Sequence, residues 1–104
     1  MQLGSIVIAS FHSPKEKVWG QLVDLTPAGA TIFGLDLNFF DDWLNQVGSE
    51  NERSLMTTFY PLIRTERITL DEPEGTIPSL AQRLTQKCGT PAQHYLAKMI
   101  TDKK

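Results

Sequence analysis

The chain has 104 residues, 40% of them hydrophobic and 21% charged, which is enough for one domain with a modest core and too few for two. A formal net charge of −2 gives no general attraction to nucleic acid or to an anionic membrane, and a single cysteine, Cys88, excludes an internal disulfide framework and a multi-cysteine zinc site within one chain. No apolar run approaches the roughly 20 residues that a membrane helix requires, and the start, Met1 to Ser5, lacks a leader's basic segment, so a cytoplasmic protein is expected.

Ser5 to Phe11 (SIVIASF) is rich in β-branched residues and ends at the breaker His12-Ser13-Pro14, which predicts a first strand. Lys15-Glu16-Lys17 continues as a solvated connection. Val18 to Leu37 then reads as a hairpin folded back through Thr26-Pro27-Ala28-Gly29. Pro27 presets φ for the first central turn position, and Gly29 is expected to supply the left-handed residue that closes a three-residue loop with a bulge. Both arms are apolar on much of both faces, which suits the middle of a strongly curved sheet. Gly20 and Gly34 sit inside these facing arms, where glycine is unfavourable unless it permits a bend or a close backbone approach, and they predict a small, tightly coiled barrel.

After Leu37 the period changes. Asn38 is placed to cap a short helix, with Asp41 and Asp42 at the positive end of its dipole. Phe39, Phe40, Trp43, Leu44 and Val47 recur at helical spacing until Gly48, and Gly48 to Ser54 is a polar loop. Leu55 to Tyr60 predicts a fourth strand interrupted at Pro61, with Leu62-Ile63-Arg64 as a tight or 3₁₀ turn. Thr65 to Leu70 is a fifth strand, closed by the acidic breaker Asp71-Glu72-Pro73-Glu74-Gly75, which reads as a solvated turn. Ser79 with Gln82 forms a capping box for a helix striped by Ile77, Leu80, Leu84 and Cys88 and ended by Gly89. Thr90 caps a last helix with Pro91 at its first position, an apolar stripe of Ala92, Tyr95, Leu96, Met99 and Ile100, and a frayed end at Thr101 to Lys104.

The expected fold is mainly β within the α+β class: a five-stranded, strongly bent small barrel, a short helix between its third and fourth strands, and two C-terminal helices. Residues 1–75 would form the barrel and residues 76–104 a helical extension of the same domain, whose last helix could find its burial on a neighbouring subunit.

Gly20-x-Leu22 with Asp24 before the turn, followed by an apolar strand, resembles the first motif of Sm-like proteins, and Phe59 to Leu70 with Ile63-Arg64 at the turn resembles the second. Over residues 5–70 the layout is similar to the small Sm-like and SH3-like barrels. The resemblance implies a barrel and ring or dimer assembly. Thr65 stands where those proteins usually have glycine after the arginine, and Pro61 and Leu62 stand where bacterial Sm-like RNA chaperones carry a lysine-histidine pair, so the RNA site is not carried over with the fold.

The chemistry-bearing residues point away from catalysis. His12 and His94 are far apart and have no partner at metal-ligand spacing. Cys88, at a helix C-terminus, where a thiolate is disfavoured, reads as a small apolar residue. Asp41 and Asp42 could be half of an acid/base pair or a cation site, but their place in a first helical turn fits dipole partners. No phosphate-cradling glycine loop, serine elbow or metallo-helix motif occurs, and no cofactor is expected. The leading expectation is a non-catalytic module acting by protein–protein contact, as a homo-oligomer or with a protein partner. The aromatic face of Phe39, Phe40 and Trp43 reads first as core that caps the open end of the barrel and otherwise as an exposed patch, and Trp19 can pack under the helix or anchor an interface; with Tyr95 and Met99 these are the candidate interface residues. The rival is an Sm-like RNA-binding ring using Tyr60, Arg64 and Arg67, where basic and aromatic residues interleave. A third reading is a small enzyme using Asp41, Asp42 or His12.

Overall fold

Gly20 and Gly34 stand directly opposite each other across the central strand pair. A methyl group on Gly20 would strike the Phe33 carbonyl oxygen and lie 2.7 Å from the Gly34 Cα, and one on Gly34 would strike the Trp19 carbonyl oxygen. Neither glycine has a positive φ. Their role is to let two backbones approach where a side chain would hold them apart.

The computed structural model describes residues 1–102. It runs β1 (Ile6–Phe11), β2 (Glu16–Thr26), β3 (Gly29–Asp36), a 3₁₀ turn (Leu37–Phe39), α1 (Phe40–Gln46), β4 (Met56–Pro61), a second 3₁₀ turn (Leu62–Arg64), β5 (Thr65–Leu70), α2 (Leu80–Cys88) and α3 (Ala92–Asp102). The five strands form one antiparallel sheet in the order β4-β3-β2-β1-β5. The frayed end expected from Thr101 is not seen at Thr101 and Asp102, which continue α3, and its remainder, Lys103 and Lys104, lies outside the described residues.

Strand alternation sends side chains to both faces of this sheet, and both are buried. On one face Ile6, Trp19 and Phe33 pack with Phe40, Trp43 and Leu44 of α1, Leu84 of α2, and Ala92 and Leu96 of α3. The two C-terminal helices therefore cover the sheet of their own chain, and α3 finds its burial there rather than on a neighbour. The other face carries Val7, Ala9, Phe11, Val18, Leu22, Ala30 and Ile32, with Tyr60 and Ile68 against them. That second core draws on all five strands and contains no helical residue. A sheet can bury such a face only by curling over it. The expected curvature is thus present, but the expected closure is not: β4 and β5 are the two edges and share no ladder among the described residues. The 3₁₀ turn Leu62–Arg64 crosses between them, with Leu62 N donating to Ala28 O at 2.9 Å and His12 N donating to Arg64 O at 2.9 Å.

Several local expectations are corrected. Gly29 is not left-handed; the loop is Pro27-Ala28, with Thr26 paired to Gly29, and the bulge falls at Val23, between Leu22 and Asp24. Glycine is required at position 29 because a Cβ there would meet the Tyr60 carbonyl oxygen and lie 2.8 Å from the Phe59 ring. Asn38 is not the cap of α1; the Asp36 carboxylate accepts from Asn38 N at 2.8 Å and starts the 3₁₀ turn that leads into the helix. As expected, β4 stops at Pro61 and the Leu62–Arg64 3₁₀ turn follows. Ile77 stands outside α2 and is 66% exposed. The expected capping box is present: Gln82 N donates to Ser79 Oγ at 3.0 Å and Ser79 N to Gln82 Oε1 at 2.9 Å, and Gly89 ends the helix with φ 77°.

Candidate functional site

The aromatic residues expected at an interface divide by burial. Trp19, Phe40 and Trp43 are 0%, 1% and 1% exposed, with ring centroids 4.9–5.8 Å apart in edge and tilted contacts. They are core and offer no surface, because the helices fold over the strand that carries Trp19. Tyr95 and Met99 are half-buried against the same cluster. Tyr95 donates its hydroxyl to Glu52 Oε1 at 2.8 Å, and burial, followed by that carboxylate, pushes the phenol above its ordinary pKa. Of the group only Phe39 is exposed, with the Arg53 guanidinium 4.8 Å above its ring.

The Tyr60, Arg64 and Arg67 group is likewise split. Tyr60 turns into the strand-only core and stacks on Phe11 at 4.2 Å and 14°. Burial raises its pKa, with the charges of Glu16 and Asp36 adding to the effect. Arg64 is committed to the β1–β2 loop: Nε donates to His12 O at 3.2 Å, and Nη2 to Pro14 O at 3.2 Å and Glu16 Oε1 at 3.1 Å. Its side chain fastens the loop below the turn. Arg67 is exposed on β5, paired in register with Ser10 rather than with the turn.

The remaining acids and nucleophiles are also placed. Asp41 meets Arg83 at 2.7 Å and links α1 to α2 on the surface. Asp42 and His94 are exposed, and exposed His12 has its Nδ1 3.2 Å from Ser13 Oγ. Cys88 is half-buried, with Sγ donating to Thr90 O at 3.4 Å. Among the described residues no three His, Cys, Asp or Glu side chains come together as a metal site would need.

Asp71 departs most from its reading as a solvated turn residue. Its carboxylate accepts from Trp19 Nε1 at 3.0 Å, Leu80 N at 3.1 Å and Ala81 N at 2.6 Å. It thus satisfies the first N–H groups of α2 and fixes that helix to the sheet. A groove of about 680 Å³ opens beside it, between the start of β1, the end of β5, α2 and the start of α3. The polar groups along it are largely engaged in holding it together: Gln82 in the capping box, Gln93 Nε2 on Gly4 O at 3.2 Å, and Thr85 Oγ1 accepting from Ala92 N at 3.1 Å. A carboxylate already accepting three N–H bonds is a structural joint, not a free general base.

The surface with the least internal employment is the β4 edge. β4 pairs only with β3, and its sequence, MTTFYP, contains no charge. Met56, Phe59, Leu62 and Ile63 are 65%, 51%, 46% and 84% exposed along this edge and the turn that follows. Phe59 faces outward because Tyr60, its neighbour of opposite parity, takes the inward place. No membrane-crossing helix occurs: none of the described helices is long and apolar enough. No protein-family model matches the chain, and comparison with curated proteins and solved structures gives no significant match.

Proposed function

We propose that the chain is a non-catalytic assembly module that joins copies of itself through its sheet edges, β4 of one copy laid against β5 of the next. The observation that carries this reading is the uncharged β4 edge with its exposed Met56, Phe59, Leu62 and Ile63. Monomeric proteins protect an edge strand with lysine, proline within the strand, a bulge or a covering loop, and β4 has only a terminal proline. β5 is the other free edge and is also six residues long, so each copy offers one strand of matched length to either side. Such a head-to-tail contact closes into a ring when the rotation between copies permits and otherwise extends as a filament. The resemblance to Sm-like barrels supports the same reading, since it implies ring or dimer assembly.

Amide hydrogen exchange tests it. Protection at Thr57 to Tyr60 and at Glu66 to Thr69 should rise together as the protein is concentrated, while the central strands β1 and β2 stay unchanged. Protection of both edges that is independent of concentration rules the reading out.

A further inference from the structure

Ser10 is buried yet unused. It is 8% exposed, its side chain makes no hydrogen bond among the described residues, and it lines a pocket of about 370 Å³ shared with Lys15, Lys17, Glu66 and Arg67. The register explains how this pocket forms. Lys17 of β2 and Arg67 of β5 stand directly opposite Ser10 on its two sides, so a cation flanks the hydroxyl on each neighbouring strand. The ladder then shifts between Ser10 and Phe11, which pairs with Thr65, and Glu66 is left out of the pairing. Bulges of this kind re-aim side chains and are common beside binding sites. Lys15 arrives on the His12–Glu16 loop, which Arg64 holds through two carbonyls and the Glu16 carboxylate.

The electrostatics set what fits there. Three cations face one carboxylate, a local excess of two positive charges on a chain whose net charge is −2. The ion pairs among the described residues are Arg64–Glu16 and Arg83–Asp41, so Lys15, Lys17 and Arg67 are without a carboxylate partner. The Ser10 hydroxyl has no hydrogen-bond partner among the described residues and opens on the pocket, where three exposed cations gather without a carboxylate in ion-pair distance. A tetrahedral dianion matches that set: its oxygens can accept from Ser10 Oγ and from the charged nitrogens on either side. We propose that this pocket is a binding site for a phosphoryl group, carried by inorganic phosphate or by a small phosphomonoester. The site is away from the β4 edge, but its Glu66 and Arg67 lie on β5, the other edge used in the proposed assembly, so the titrations are made at concentrations where the chain is monomeric.

The test is calorimetric titration of the full chain with inorganic phosphate and with glycerol phosphate at constant ionic strength. Saturable binding of one equivalent is expected for at least one probe, and which of the two binds more tightly separates free phosphate from the esterified group. Lys17→Gln and Arg67→Gln, both at exposed side chains, should each weaken binding about tenfold or more, as loss of a charge-assisted hydrogen bond does. Ser10→Ala should weaken it several-fold, and Glu66→Gln should tighten it. Lys98→Gln, on α3 and away from the pocket, should leave it unchanged. Absence of saturable binding for both probes overturns the proposal. So does a loss in Lys98→Gln equal to that in Lys17→Gln, which marks general charge attraction. Should Ser10→Ala fail to fold, the Lys17, Arg67 and Glu66 variants decide the matter.

Discussion

Two tryptophans of nearly equal burial make opposite use of the same indole N–H. Trp19 donates to the Asp71 carboxylate at 3.0 Å, and Trp43 Nε1 is buried with no partner among the described residues. A hydrogen bond to a charged group contributes about 1.5–3 kcal/mol, and an orphaned buried donor costs about 1–3 kcal/mol. Replacing each by phenylalanine removes a similar volume, so the difference between the variants isolates the N–H. Trp19→Phe should lose about 2 kcal/mol or more beyond Trp43→Phe in urea unfolding; equal losses would mean that neither the Asp71 bond nor the orphaned Trp43 donor carries a net energy. Tyr95 gives the pH-dependent counterpart. Its folded pKa lies above the ordinary value of 10.0, so its contribution is fully present below that pH and is lost as pH rises towards the folded value. The difference in unfolding free energy between wild type and Tyr95→Phe should therefore hold constant from neutral pH to about 10 and shrink above it. A difference that grows in alkaline solution would contradict burial and Glu52 as the cause.

Within the elements, the close approach of β2 and β3 depends on the missing side chains of Gly20 and Gly34. Gly20→Ala drives a methyl group into the opposite backbone, which has no rotamer to adjust, and should cost about 1–3 kcal/mol or more. Wild-type stability for Gly20→Ala in chemical denaturation would mean that the strands are not held so close. This pair is legible in the sequence, because glycine weakens the interior of an apolar strand unless a neighbouring backbone must come close. The Ser79–Gln82 capping box and the Leu62–Arg64 turn are legible because each depends on residues within four positions. What is not legible depends on distance. Asp71 lies in an acidic run that reads as solvated, and its role appears only when α2 and Trp19 fold back on it from nine and 52 positions away. The parity of β4 is hidden because MTTFYP is mixed on both faces, so nothing local says whether Phe59 or Tyr60 turns inward. Phe40 and Trp43 are legible as core from their helical spacing, whereas Trp19 stays open between core and interface because the sequence does not reveal that α1, α2 and α3 converge on one side of the sheet.

At the scale of the molecule, two cores share one sheet, and the strand-only core leaves that sheet curled but open. Curvature brings β4 and β5 to opposite sides of a short turn without joining them, so each chain keeps two edges with unpaired backbone donors and acceptors. The β5 edge carries Glu66 and Arg67, and the β4 edge carries no charge at all. That asymmetry favours β4 against β5 over β4 against itself. The uncharged edge is also where a single added charge acts most sharply: lysine at position 59 replaces a half-exposed ring, which lies over Gly29 and belongs to neither core cluster, with the residue that natural edge strands use to prevent pairing. The decisive measurement is solution mass by light scattering across a micromolar to millimolar series, for wild type and for Phe59→Lys. Edge-to-edge assembly requires a wild-type mass that rises to a multiple of 11.7 kDa while Phe59→Lys stays at the monomer value. A wild type that remains a monomer throughout, or a Phe59→Lys variant that assembles equally well, would contradict it.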